Sequence, residues 1–159
     1  MSFRLRTAFA LAFSLLSAGS LRGVVIESVA ERSYSEENLT TFREYLDGRE
    51  RTGRRTYFRS VEDRKAGLYL VADFDTPISE LPEGSSLVVD FITSMDDGPR
   101  SVSFPVSAGS GIMGKSAYIG LTDPSFAGLR FVAWRLQIVD KSGAPLAESH
   151  SFLWEMPVR

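Results

Sequence analysis

The sequence predicts a mainly all-β protein: antiparallel strands folded into a two-sheet β-sandwich, with one short helix near residues 36–47. Three observations carry that expectation. From Leu68 onward apolar residues recur mostly at every second position, the period of a strand buried on one face. Turn signals built from Gly, Pro, Asp and Ser separate these runs at the spacing of consecutive strands. No strand–helix–strand alternation is visible, which argues against a parallel sheet.

Taken in order, Gly23 to Glu31 reads as the first strand, with Val24, Val25, Ile26 and Val29 supplying β-branched side chains. Ser35-Glu36-Glu37 then gives a capping hydroxyl followed by acids, the signature of a helix start. Leu39, Phe42 and Leu46 fall at helical spacing with Tyr45 beside them, and Asp47-Gly48 supplies the stop. The competing reading of this segment is a strand, because Thr40, Phe42 and Glu44 also alternate with Thr41, Arg43 and Tyr45. Leu68, Leu70, Ala72 and Phe74 then alternate with Tyr69, Val71, Asp73 and Asp75. Leu87, Val89 and Phe91 form another strand, Met95-Asp96-Asp97-Gly98-Pro99 a turn, and Ser101 to Val106 its return.

Ser107 to Lys115 reads as a loop, Ala117 to Leu121 as a short strand, and Asp123-Pro124 as a turn. Val132, Trp134, Leu136 and Ile138 share one face of the clearest strand in the chain. Lys141-Ser142-Gly143 turns it into a partner running from Ala144 to Glu155. Seven or eight strands at regular spacing suit a sandwich that is immunoglobulin-like in outline.

The N-terminus carries a different message. Met1 to Arg6 is cationic, Ala8 to Leu16 is apolar apart from Ser14, and Ser17-Ala18-Gly19-Ser20 offers small residues for cleavage. That is the layout of a secretory signal peptide over residues 1–20, too short in its apolar run to span a bilayer as a helix. Residues 21–159 then form one domain of ordinary size, expected in a bacterial periplasm or outside the cell, with no transmembrane helix. The chain has no cysteine, which removes thiol chemistry, cysteine-ligated metals and a lipid attachment point.

The formal charge is −2, and setting aside Arg4 and Arg6 leaves 16 bases against 20 acids, a balance unlike that of a nucleic-acid binder. The charges are unevenly spread. Eight bases fall between Arg43 and Lys65, against five acids; between Ala66 and Arg100 there are seven acids and one base. Arg49, Arg51, Arg54 and Arg55 are therefore the candidate binding residues, facing an anionic glycan, a lipid surface or an acidic protein.

No constellation for catalysis is legible. His150 is the single histidine, and its neighbours Ser149 and Ser151 would point to the opposite face of a strand. Gly109 to Ser116 satisfies the bare phosphate-loop pattern, yet Ser116 opens a strand where that loop requires a helix. Asp73 and Asp75 read as a polar sheet edge, and Asp96-Asp97-Gly98 as a hairpin turn, more readily than as calcium ligands. Trp134 is expected in the core and Trp154 on the surface, while Asn38-Leu39-Thr40 matters for glycosylation only in a suitable host.

The expected function is thus an exported, non-catalytic binding or structural module with no metal and no cofactor. Two alternatives stand beside it. One is a hydrolase whose carboxylates, drawn from Asp73, Asp75, Asp90, Asp96 and Asp123, meet only in three dimensions; the other is a small outer-membrane β-barrel.

Overall fold

The computed structural model describes residues 23–40, 44, 46, 48–50, 55–107 and 114–155. The predicted signal peptide lies outside that range. Among the described residues there are eight strands: β1 Ile26–Tyr34, β2 Thr56–Arg59, β3 Gly67–Phe74, β4 Ser86–Thr93, β5 Arg100–Pro105, β6 Ser116–Leu121, β7 Phe131–Val139 and β8 Pro145–His150. They form two four-stranded sheets, ordered β1-β3-β6-β2 and β5-β4-β7-β8. The chain is a two-sheet β-sandwich, as the alternation predicts. Among the described residues each sheet is open, with β1 and β2 or β5 and β8 at its edges, and the two form a sandwich instead of one closed barrel.

The core lies between the sheets and is built by the period-two rows. Leu68, Leu70, Ala72 and Phe74 of β3 and Ala117, Ile119 and Leu121 of β6 face Leu87, Val89 and Phe91 of β4 and Trp134, Leu136 and Ile138 of β7. Phe91 anchors one end through edge-on contacts with Phe126 and Phe131, at centroid distances of 5.7 and 6.2 Å. Each of these large apolar side chains stabilises the fold by roughly 1.5–3 kcal/mol when fully buried.

Two strands depart from their expected rows. Val132 is exposed although Trp134 is buried, because the β4–β7 register slips between Ile92/Ala133 and Thr93/Phe131. That bulge puts Val132 outside the ladder and turns Phe131 into the core instead. The last strand ends at His150, not Glu155. Ser151 donates its N–H to the Trp134 carbonyl (2.9 Å) and accepts the Trp134 N–H on Oγ (3.0 Å). Its hydroxyl thus occupies the next ladder position, and Trp154 N–H closes a 3-10 turn, Phe152–Glu155, onto the Ser151 carbonyl.

The first sheet contains a surprise of direction. β2, in a segment read only as arginine-rich, pairs parallel with β6, from Thr56↔Ala117 to Arg59↔Gly120; every other pairing among the described residues is antiparallel. β1 and β2 therefore run the same way at opposite edges of one sheet, and a crossover must join them. That crossover holds the predicted helix, in two pieces. α1 spans Glu36–Leu39 behind a capping box in which Ser35 and Asn38 bond one another's groups. Thr40 then turns extended (φ −93°, ψ 122°), and helical backbone resumes at Glu44 and Leu46. Gly48, at φ +66°, donates to the Glu44 carbonyl and ends it, as the Asp47-Gly48 stop predicts. Leu46 is exposed and Glu44 is buried, the reverse of the expected apolar row, because Glu44 pairs with Lys65. Phe42 and Tyr45 lie outside the described residues.

Candidate binding face

The outer face of the first sheet is where sequence and structure diverge most. On β2, β3 and β6 a tyrosine stands one residue out of phase with the buried row: Tyr57 beside Phe58, Tyr69 between Leu68 and Leu70, Tyr118 between Ala117 and Ile119. Tyr34 ends β1 on the same side, since it pairs with Gly67 as Arg32 pairs with Tyr69. The sheet order brings these four together. Ring centroids lie 5.3 Å apart for Tyr34–Tyr69, 6.4 Å for Tyr34–Tyr118 and 5.0 Å for Tyr57–Tyr118. Phase flags Tyr69 and Tyr118 as out of step with their buried rows; that Tyr34 and Tyr57 join them depends on which strands are neighbours.

Tyr69 is the floor of this face, with no exposed surface. Its ring lies over Gly120, where an added Cβ would come within 2.5 Å of Cε1, and its hydroxyl donates to the Lys65 carbonyl at 2.7 Å. Burial pushes its phenol above the ordinary value, although Arg59 beside it pulls the other way. The Arg59 side chain is only 7% exposed and forks onto Glu50, with Nη2–Oε1 at 2.5 Å and Nη1–Oε2 at 3.1 Å. Burial alone would lower its pKa, but the Glu50 carboxylate and the Tyr69 hydroxyl raise it further, so this guanidinium stays charged. It also stacks 4.7 Å from the Tyr57 ring centroid. In turn the Arg59 hydrogen bond holds the Glu50 carboxyl below its usual range.

Above that floor the face is accessible. Tyr34, Tyr57 and Tyr118 are half-buried, while Arg32 and Arg55 are exposed. The Arg55 guanidinium lies 5.4 Å from the Tyr118 centroid, and its pKa is raised by hydrogen bonding with Tyr57 and by Tyr118. Burial, then Tyr118, raises the Tyr34 phenol. Of the four arginines named from sequence, Arg55 joins the tyrosine face and Arg49 is exposed on the crossover. Arg51 and Arg54 lie outside the described residues. The arrangement presents flat aromatic surface beside guanidinium groups, a pairing suited to stacking and to carboxylate recognition.

The carboxylates of the hydrolase reading are dispersed. Asp73 lies on the central strand β3, not at an edge, and accepts from Ser28 Oγ (2.9 Å) and Ser116 Oγ (2.6 Å) on the flanking strands. Asp75, beyond the strand end, takes the Val25 N–H at 2.8 Å. Asp90 pairs with Arg135 on the second sheet, at 2.7 and 3.0 Å. Asp96 bonds the Thr93 hydroxyl and N–H, which lower its pKa, and also meets Arg100. Asp123 caps the Ser125 N–H at 2.9 Å. A cleft of about 320 Å³ at one end of the sandwich includes Asp123 alone of the five.

His150 faces outward beside Arg135 and meets Glu155 at 3.2 Å. Among the described residues no three or more His, Cys, Asp or Glu side chains are grouped to hold a metal ion. In the Gly-Lys-Ser run, Lys115 donates to the Asp75 carbonyl (2.6 Å) and Ser116 begins β6, so these groups serve the sheet; residues 108–113 lie outside the described range. Trp134 is 5% exposed, and its indole N–H crosses to the other sheet to reach Glu31 at 2.7 Å. Trp154 is half-buried, with the Arg135 guanidinium 5.4 Å from its ring. Among the described residues no helix is long and apolar enough to cross a membrane. No protein family matches this chain, and no curated protein or solved structure is found similar to it.

Proposed function

We propose that this chain is an exported, non-catalytic binding module whose tyrosine–arginine face takes an acidic polysaccharide. The observation behind the reading is the contiguous row Tyr34–Tyr118–Tyr57 with Arg55 stacked on its middle ring. Tyrosine rings offer sugar rings a flat apolar surface and a hydroxyl. Guanidinium groups bind carboxylates by paired hydrogen bonds. Export rests on the N-terminal layout, and the absence of catalysis on the separate engagement of each carboxylate. The outline we favour is immunoglobulin-like. Taking β1, β3 and β6 as A, B and E, and β5, β4, β7 and β8 as C′, C, F and G, both sheets follow that order. β2 takes the place of D, reached from the A–B connection and parallel to its neighbour.

The test is binding to polygalacturonate, with dextran as the neutral control and phosphatidylglycerol vesicles as the lipid arm. Binding should weaken steeply with salt, because exposed charges are screened over about 10 Å at 0.1 M ionic strength. Replacing Arg49, Arg51, Arg54 and Arg55 with serine, or Tyr118 with alanine, should abolish it while leaving a cooperative unfolding transition. Unchanged binding in both variants, or binding only to vesicles, overturns the reading.

A further inference from the structure

The cleft between the sheets lies apart from the tyrosine face, at the end where β4 meets β5 and where β6 runs into the Pro124–Phe126 turn. Its apolar lining comes from Val102, which is half-buried, and from Phe91, Leu121 and Phe126, which are buried, and its rim carries Arg100, Asp123 and the serines Ser60, Ser101 and Ser125. Arg100 is fixed in place: its guanidinium lies 4.9 Å from the Phe126 centroid and 5.5 Å from that of Phe91, and Nη1 reaches Asp96 at 3.3 Å. Its side chain nevertheless remains 51% exposed, so donors are left for a ligand. Asp123 is ionised at neutral pH, because hydrogen bonds from Ser125, then the nearby Arg64 and Arg100 charges, hold its carboxyl low.

We infer that this cleft is a second binding site, for a single neutral sugar ring. The charges decide the class. An anion drawn to Arg100 meets the Asp123 and Asp96 carboxylates, and a cation drawn to Asp123 meets Arg100 and Arg64. A neutral ligand that needs donors and acceptors together is favoured by the same rim. Val102 gives one apolar contact for a ring C–H edge beside the polar rim, and about 320 Å³ stands near the lower limit of small-molecule pockets, roughly 300 Å³.

Amide-resolved NMR titration of the protein with glucose, galactose and N-acetylglucosamine tests this, with acetate and methylammonium as charged controls. At least one sugar should shift the amides of Ser60, Val61, Ser101 and Ser125 saturably, and neither control should. Arg100→Ala should weaken that sugar by about tenfold or more, the usual effect of losing a hydrogen bond to a charged group. Asp123→Asn keeps an oxygen for the Ser125 N–H, so it retains the turn while weakening the sugar. Arg55→Ser should leave this titration unchanged, which separates the cleft from the tyrosine face. No shift with any of the sugars, or the same shifts with acetate, overturns the inference.

Discussion

The two sheets have inner faces of the same kind and outer faces that differ. Inside, both present aliphatic and aromatic rows, and nothing in their chemistry says which sheet a strand belongs to. Outside, the second sheet carries paired polar groups: Asp90 with Arg135, Gln137 with Glu148 at 2.6 Å, His150 with Glu155. The first sheet instead carries four tyrosines with Arg59 and Arg55 among them, and its centre, Tyr69, is fully buried. The second sheet therefore has one dry face, whereas β3 is buried on both sides at Leu68, Tyr69 and Leu70. An outer face that buries an aromatic floor and a charged guanidinium departs from ordinary solvated patterning. Such a departure is where a binding role is best sought.

The strongest way to break this comparison is through the dry interface both sheets share. Trp134→Ala should cost about 3–5 kcal/mol, since it removes a buried indole and leaves Glu31 without its donor. Denaturant unfolding reads this directly, and a variant melting within a few degrees of the parent would contradict the inter-sheet placement.

Gly120→Ala sharpens it from the outer side of the first sheet. The new methyl meets the Tyr69 ring, so a loss of about 1–3 kcal/mol is expected, as for overpacking in a core. The half-buried Gly98 has open space around its Cβ position, and Gly98→Ala should be nearly neutral. Equal effects at the two sites would mean that Tyr69 is not fixed where it is described.

A smaller effect is expected from Tyr69→Phe, which removes the hydroxyl bonded to the Lys65 carbonyl. The cost should be about 1 kcal/mol, with the fold retained. Smallest is Glu50→Gln, a few tenths to about 1 kcal/mol for a partly exposed pair. Its pH dependence has a defined sign. The folded-state carboxyl titrates below the ordinary 4.5, so the stabilisation is complete above that value and disappears as pH falls through the lower folded value. The stability difference between parent and variant should thus be flat from neutrality to mild acid and then close. A difference that grows on acidification would contradict the Arg59 pairing.

Much of the sandwich was legible because period-two burial is a local property. The rows of β3, β4 and β7 can be read from Leu68-x-Leu70, Leu87-x-Val89 and Leu136-x-Ile138 without knowing any neighbour. Local signals also placed the Gly48 helix stop and the turn after Asp140, whose carboxylate takes the Ser142 and Ala144 N–H groups. β2 was missed because four residues are too few to establish a period, and its partner lies some sixty residues away in β6. The bulge at Val132 was invisible because the alternation is interrupted only where β7 meets β4.

The candidate site divides along the same line. Sequence alone determined that basic residues cluster between Arg43 and Lys65, that no cysteine is present, and that Tyr69 stands out of phase with the aliphatic row of its strand. Only the tertiary structure decided that Arg59 is buried against Glu50 while Arg55 lies over Tyr118, and that four tyrosines from four strands share one face. The physical reason is range. Which side of a strand a residue faces is fixed within two residues along the chain. Which side chains touch across a sheet is fixed by strand order, and here that order follows from a crossover that sets β2 parallel to β6.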